Sequence, residues 1–189
     1  MIRNKVMLRI FLPALLFLLL INCSMAIRAG AESSTQEIVS WNNWHKKIKI
    51  YLDKIASFDQ IPEQLKNDID NAKNDDVLQK KLIIEGVNKF SHVLEELKGM
   101  DTPQEVRKYH EEIISVYAWW KEIYMAILRQ FDEPMGAENT NISEYEIVRM
   151  RTELKSLEEL KTIFVQHNAP KEEINKIDKS IAELKKYSH

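Results

Sequence analysis

Residues 106–131 read VRKYHEEIISVYAWWKEIYMAILRQF, and this stretch decides the fold. Large side chains recur along it in alternating steps of four and three residues: Val106, His110, Ile113, Tyr117, Trp120, Tyr124, Ile127 and Phe131. This spacing places them on one face of an α-helix. Other apolar residues widen that face to more than half of the circumference, so the helix needs neighbours on several sides. We therefore expect it to lie at the centre of a helical bundle.

The sequence on both sides of this stretch shows the same helical spacing and none of the strict alternation that is typical of strands. We predict an all-α fold, a single up-down bundle of about five helices over residues 35–187. Helix 1 is expected at 35–58, and a second helix from Pro62 to Gly99 with a kink or break near Asn74. The third begins at Pro103, the fourth at a capping residue, Asn141, and the fifth after a turn at 168–170.

The helical spacing also predicts which residues face inwards on the first and fourth helices. On helix 1 these are Ile38, Trp41, His45, Ile48, Leu52 and Ile55. On helix 4 they are Ile147, Met150, Leu154, Leu157 and Phe164.

The composition of the 189 residues excludes several classes of protein. Four widely separated glycines do not form a phosphate-binding loop, and one cysteine cannot close an internal disulfide or build a thiolate metal site. The formal net charge of −2 provides no basic field for nucleic acid. No catalytic motif is present, so we expect a protein that is not an enzyme, has no cofactor and binds no nucleic acid.

The N-terminal segment has the features of an export signal. Arg3, Lys5 and Arg9 precede an uncharged run at 10–21, which is shorter than a membrane-spanning helix. Residues 1–31 are therefore predicted to be a signal peptide and short tether, and the protein to function in a bacterial cell envelope.

Two kinds of processing site follow the uncharged run. The end of the run, Leu-Ile-Asn-Cys at 20–23, resembles the lipobox of bacterial lipoproteins, which implies lipid attachment at Cys23. Small residues at 24–26 and 29–31 also fit ordinary signal peptidase, which would release a soluble protein. In either case, contact with the membrane is expected only through the signal or the lipid.

Two pairs of residues are candidates for function. His45 and His110 are predicted to face inwards at similar heights on parallel helices, where they could bind haem or a metal ion. Trp44 and Trp119 are predicted at the margins of apolar faces, where aromatic side chains often contact a partner. The main expectation is a non-enzymatic module that binds an envelope protein or an apolar ligand, and the alternative is a haem- or metal-binding bundle.

Overall fold

The computed structural model describes residues 35–132 and 142–186, which form five α-helices and no strand. The helices are α1 (Thr35–Asn71), α2 (Asp76–Gly99), α3 (Arg107–Asp132), α4 (Ile142–Gln166) and α5 (Lys171–Lys185), and a 3-10 turn at Gln104–Val106 leads into α3. The prediction of an all-α bundle is confirmed. The predicted signal, Cys23 and the capping residue Asn141 lie outside the described residues.

Helix α3 is buried on the face that its sequence predicts. Val106, His110, Ile113, Tyr117, Trp120, Tyr124 and Ile127 are all buried, and Phe131 at its end is half-buried. The helix packs along α2 and α4, and side chains of α1 also reach it. Three helices therefore contact α3.

Helix α1 continues through Pro62, contrary to the prediction that a new helix begins there. Pro62 has no N–H for the carbonyl of Phe58, and in a helix interior this costs about 3 kcal/mol. The cost is offset because the buried face continues past it through Leu65 and Ile69 in unbroken steps of three and four residues. The long helix is stabilised by this burial despite its proline.

The break between α1 and α2 falls close to Asn74, as predicted. It is fixed by Asp75, whose side chain accepts a hydrogen bond from the backbone N–H of Leu78 at 2.9 Å and so caps α2. The two helices then run antiparallel. This direction is shown by the ion pair between Lys54 of α1 and Glu96, which lies near the far end of α2.

Trp41, Ile48 and Ile55 of α1 are buried as predicted, and the side chain of Ile38 lies outside the described ones. Between these positions the neighbouring residue faces inwards: Trp44 and Tyr51 are buried, whereas His45 and Leu52 are half-buried. Both patterns alternate steps of three and four residues, so the spacing alone did not distinguish them. The larger aromatic side chains occupy the interior.

Helix α5 packs against α4 after the turn predicted at 168–170. Asn168 adopts a left-handed backbone conformation with φ of 54°, which asparagine tolerates better than most residues. The end of α4 also meets the start of α1, where Phe164 packs edge-on against Trp41 with ring centroids 5.0 Å apart. Helices α1, α4 and α5 thus close one end of the bundle.

Candidate functional site

Helix α4 carries charged side chains into the interior. Arg149, Glu153 and Ser156 are buried, whereas Met150 and Leu154, which the sequence predicted to face inwards, are only half-buried. Leu157 and Phe164 are buried as predicted, whereas the earlier part of the helix differs because apolar spacing assigns charged residues to the outside. The true inward face of this helix begins with polar residues and becomes apolar from Leu157 onwards.

The centre of this polar region is an ion pair within α4. An Nη1 hydrogen of Arg149 is donated to Oε2 of Glu153 at 2.5 Å, and the two side chains are only 1% and 5% exposed. The guanidinium carbon of Arg149 also lies 4.4 Å from the ring centroid of Trp120 on α3. The ion pair and the cation–π contact together hold Arg149 in one orientation.

A second buried polar pair joins α1 to α3. The hydroxyl of Tyr117 donates to Oδ1 of Asp59 at 3.0 Å, and both residues are buried. Asp59 lies one turn before Pro62 on α1. Because Asp59 and Tyr117 come from different helices, their hydrogen bond fixes the height of α1 against α3.

The two polar pairs border the same cavity, which has a volume of about 20 Å³. Its lining comes from α1, α3 and α4 and comprises Asp59, Pro62, Ile113, Val116, Tyr117, Trp120, Arg149 and Glu153. A cavity of this size can hold one water molecule, which needs roughly 10–15 Å³, whereas pockets for small organic ligands measure about 300–1,000 Å³. We call the four polar residues Asp59, Tyr117, Arg149 and Glu153 the buried polar cluster.

Burial changes the acidity of every carboxyl group in the cluster. The pKa of Asp59 is raised well above its usual value, first by burial and further by the nearby Glu153 carboxylate, although the hydrogen bond from Tyr117 acts in the opposite direction. Burial also raises the pKa of Glu153, and Arg149 opposes this rise. Arg149 opposes the rise at Glu153, whereas no cation acts on the pKa of Asp59, so Asp59 is the carboxyl of the cluster whose protonated form burial favours more strongly.

Glu146 extends the acidic region along α4 towards solvent. It is half-buried, and burial raises its pKa to about 7 against the opposing influence of Arg149. Glu146, Arg149 and Glu153 are separated by three and four residues, so they lie on one face of the helix. This spacing of charges in α4 was the only signal in the sequence that could have indicated the cluster.

The structure does not bring the two candidate haem or metal ligands together. Tyr51 of α1, rather than His45, faces His110, and His45 lies six residues earlier, about 9 Å along the helix axis. His45 instead stacks on Trp41, with ring centroids 5.2 Å apart. Burial and Lys49 lower the pKa of His45.

Both ring nitrogens of His110 already have partners. Nε2 donates to the carbonyl of Leu97 at 3.0 Å, and Nδ1 accepts from the hydroxyl of Tyr51 at 3.1 Å. A carbonyl only accepts, so Nε2 carries a proton, and in the neutral ring Nδ1 is then the acceptor for the Tyr51 hydroxyl. Burial lowers the pKa of His110, which also favours the neutral ring.

Across residues 35–132 and 142–186, His, Cys, Asp and Glu side chains do not form a group of three that could hold a metal ion. The haem or metal alternative stays a prediction, and the described contacts of His45 and His110 do not favour it.

The two tryptophans predicted to contact a partner differ in exposure. Trp44 is buried and stacks on His167, with centroids 4.0 Å apart and planes within 14°, so its predicted position at an exposed margin was wrong. Trp119 is half-buried on α3 and lies against Tyr145 of α4, with centroids 5.8 Å apart. Trp119 and Tyr145 form a partly exposed aromatic pair where the two helices meet.

No known family model, curated protein or solved structure matches this chain. In the part of the chain that the structure describes, no helix combines the length and apolar character needed to cross a bilayer.

Proposed function

We propose that this protein is an exported helical-bundle module of a bacterial cell envelope that acts by binding another protein rather than by catalysis. Its N-terminal segment directs it out of the cytoplasm, and Cys23 anchors it by a lipid if the lipobox-like site is the one processed. The partner binds on the outside of the bundle. The Trp119–Tyr145 pair is the proposed contact.

The exposure of this pair is the observation that carries the proposal. Among the described Phe, Tyr and Trp side chains, all are buried except Trp119, Tyr145 and Phe131, which are half-buried. Tryptophan and tyrosine contribute a large contact area with few rotatable bonds, and both are enriched in protein interfaces. A partly exposed Trp–Tyr pair on neighbouring helices fits this role better than the buried Trp44.

The surroundings of the pair also suit a protein interface. Further along the same seam between α3 and α4, Glu112 pairs with Lys155, and Lys108 pairs with Glu159 at 2.5 Å. Glu112 lies about 10 Å along the helix axis from Trp119, so these ion pairs continue the surface around the aromatic contact as charged groups do in a polar rim.

Site-specific photo-crosslinking in living cells tests this proposal. A benzophenone amino acid is placed at Trp119 and, as a matched control, at Ile50, which is an apolar side chain 82% exposed on α1. We expect one discrete cross-linked species from position 119 and not from position 50, and we expect Tyr145→Ala to reduce its yield. Equal cross-linking from both positions, or none from position 119, would contradict the proposed contact surface.

A further inference from the structure

We propose that the cavity of the buried polar cluster is a binding site for one water molecule, and that Asp59 carries a bound proton that it donates to this water. The site is independent of the partner contact at Trp119. It makes the junction of α1, α3 and α4 a hydrated polar contact instead of an apolar one.

Two buried atoms without a partner point to this ligand. Oδ2 of Asp59 and Nε of Arg149 are both buried and have no hydrogen-bond partner among the described residues. Both residues line the same cavity, in which about 20 Å³ is free. A buried polar atom left unpaired destabilises the fold, so both atoms gain from a common partner placed between them.

The chemistry of these two atoms selects water from other small ligands. Nε of Arg149 only donates, so its partner must accept, which excludes a cation such as sodium or ammonium. A chloride ion would accept from Arg149, but it would lie beside Asp59 and the Glu153 carboxylate. The negative charge of that carboxylate disfavours an anion there. A neutral Asp59 donates from Oδ2, so one water oxygen can accept from both residues with its two lone pairs.

A hydrogen of the bound water then needs an acceptor, and the Glu153 carboxylate lines the same cavity. With Asp59 neutral, the Arg149–Glu153 pair leaves the cavity without net charge. Tyr117 of α3 and Glu153 of α4 act on the pKa of Asp59, and Arg149 of α4 lines the same cavity.

A crystal structure of the mature protein tests the ligand directly. We expect one spherical density peak within hydrogen-bond distance of both Oδ2 of Asp59 and Nε of Arg149. Crystals soaked in rubidium or bromide are expected to show no anomalous signal there. An empty cavity would overturn the proposal, and so would an anomalous peak, because it would identify a cation or an anion.

A titration of stability tests the proton. The equilibrium constant for unfolding is measured from pH 5 to 9 for the wild type, for Asp59→Asn, which resembles the neutral acid, and for the exposed control Asp53→Asn. If Asp59 releases its proton on unfolding, the unfolding constant rises by up to about tenfold for each unit of increasing pH. We expect Asp59→Asn to lose this pH dependence and Asp53→Asn to keep it. A pH dependence that Asp59→Asn leaves unchanged would refute the bound proton.

Discussion

Replacing Arg149 by methionine is the most informative single change for the interior of this protein. The substitution keeps most of the apolar stem and removes the guanidinium, so the Glu153 carboxylate remains 5% exposed without its cationic partner. Breaking a buried ion pair in this way typically costs about 3–5 kcal/mol. We therefore expect the free energy of unfolding to fall by about this amount at pH 8, as measured by urea denaturation and circular dichroism.

The loss of unfolding free energy in Arg149→Met should depend on pH. Without Arg149 nothing opposes the effect of burial on Glu153, so its pKa rises further and the side chain takes up a proton as the pH falls. A neutral Glu153 is less costly to bury than a carboxylate. We therefore expect the difference in unfolding free energy between Arg149→Met and wild type to shrink between pH 8 and pH 5.

Two comparisons make this prediction sharp. The double variant Arg149→Met, Glu153→Leu removes the whole pair and should recover most of the lost stability, because an apolar replacement of a buried pair is often neutral or stabilising. Lys49→Met breaks an ion pair of the same i,i+4 spacing that is 51% and 47% exposed, and it should cost less than about 1 kcal/mol. If Arg149→Met costs no more than Lys49→Met, or costs the same at pH 5 and pH 8, the reasoning about burial is refuted.

Three further predictions follow from single contacts. A Cβ at Gly86 would lie 2.4 Å from the buried ring of Tyr124, so Gly86→Ala should lower the unfolding free energy by about 1–3 kcal/mol, whereas Gly99→Ala, which meets nothing within 4 Å, should not. Thermal denaturation of both variants decides this. Glu146 has a pKa raised from 4.5 to about 7, so its contribution to stability is complete below pH 4.5 and is lost as the pH rises through 7. Glu146→Gln should therefore flatten the decline in melting temperature over this range, and an unchanged profile would contradict the assignment. Haem titration should not convert the broad Soret absorption of free haem into the sharp, shifted band of histidine-ligated haem, because His110 already uses both ring nitrogens. A shifted band that is lost in His110→Phe would show the reverse.

Helix α3 was predictable in detail because its apolar face is wide and unbroken. Every residue from Val106 to Ile127 that the spacing placed inside is buried, and no charged residue lies on that face. The end of α2 at Gly99 falls where predicted, and the turn before α5 was predictable for a local reason, since the fixed φ and missing N–H of Pro170 suit the start of a helix.

The continuation of α1 and the choice of its inward residues could not be predicted, because tertiary contacts overrode local preference. Pro62 is a strong signal for the start of a helix, and only the burial of Leu65 and Ile69 on the same face explains why α1 continues. The choice of Trp44 over His45 as the inward residue depended on the space available beside Phe164. Neither fact is encoded in spacing alone.

The buried polar cluster was missed for a related reason. Arg149 and Glu153 look like an ordinary solvent-exposed pair at i,i+4, and their burial becomes visible only when Trp120 and Asp59 are brought against them by other helices. A charged residue in a helix is normally outside, so periodicity cannot identify the exceptions.

The location and mature N-terminus of the protein test the central claim most directly. Cells producing the C-terminally tagged chain are fractionated, and the intact protein is analysed by mass spectrometry. We predict that it is found in the envelope and begins either at a lipid-modified Cys23 or at a residue following one of the small-residue sites, such as Ile27 or Glu32. A cytosolic protein that retains Met1 and the residues following it would contradict the account.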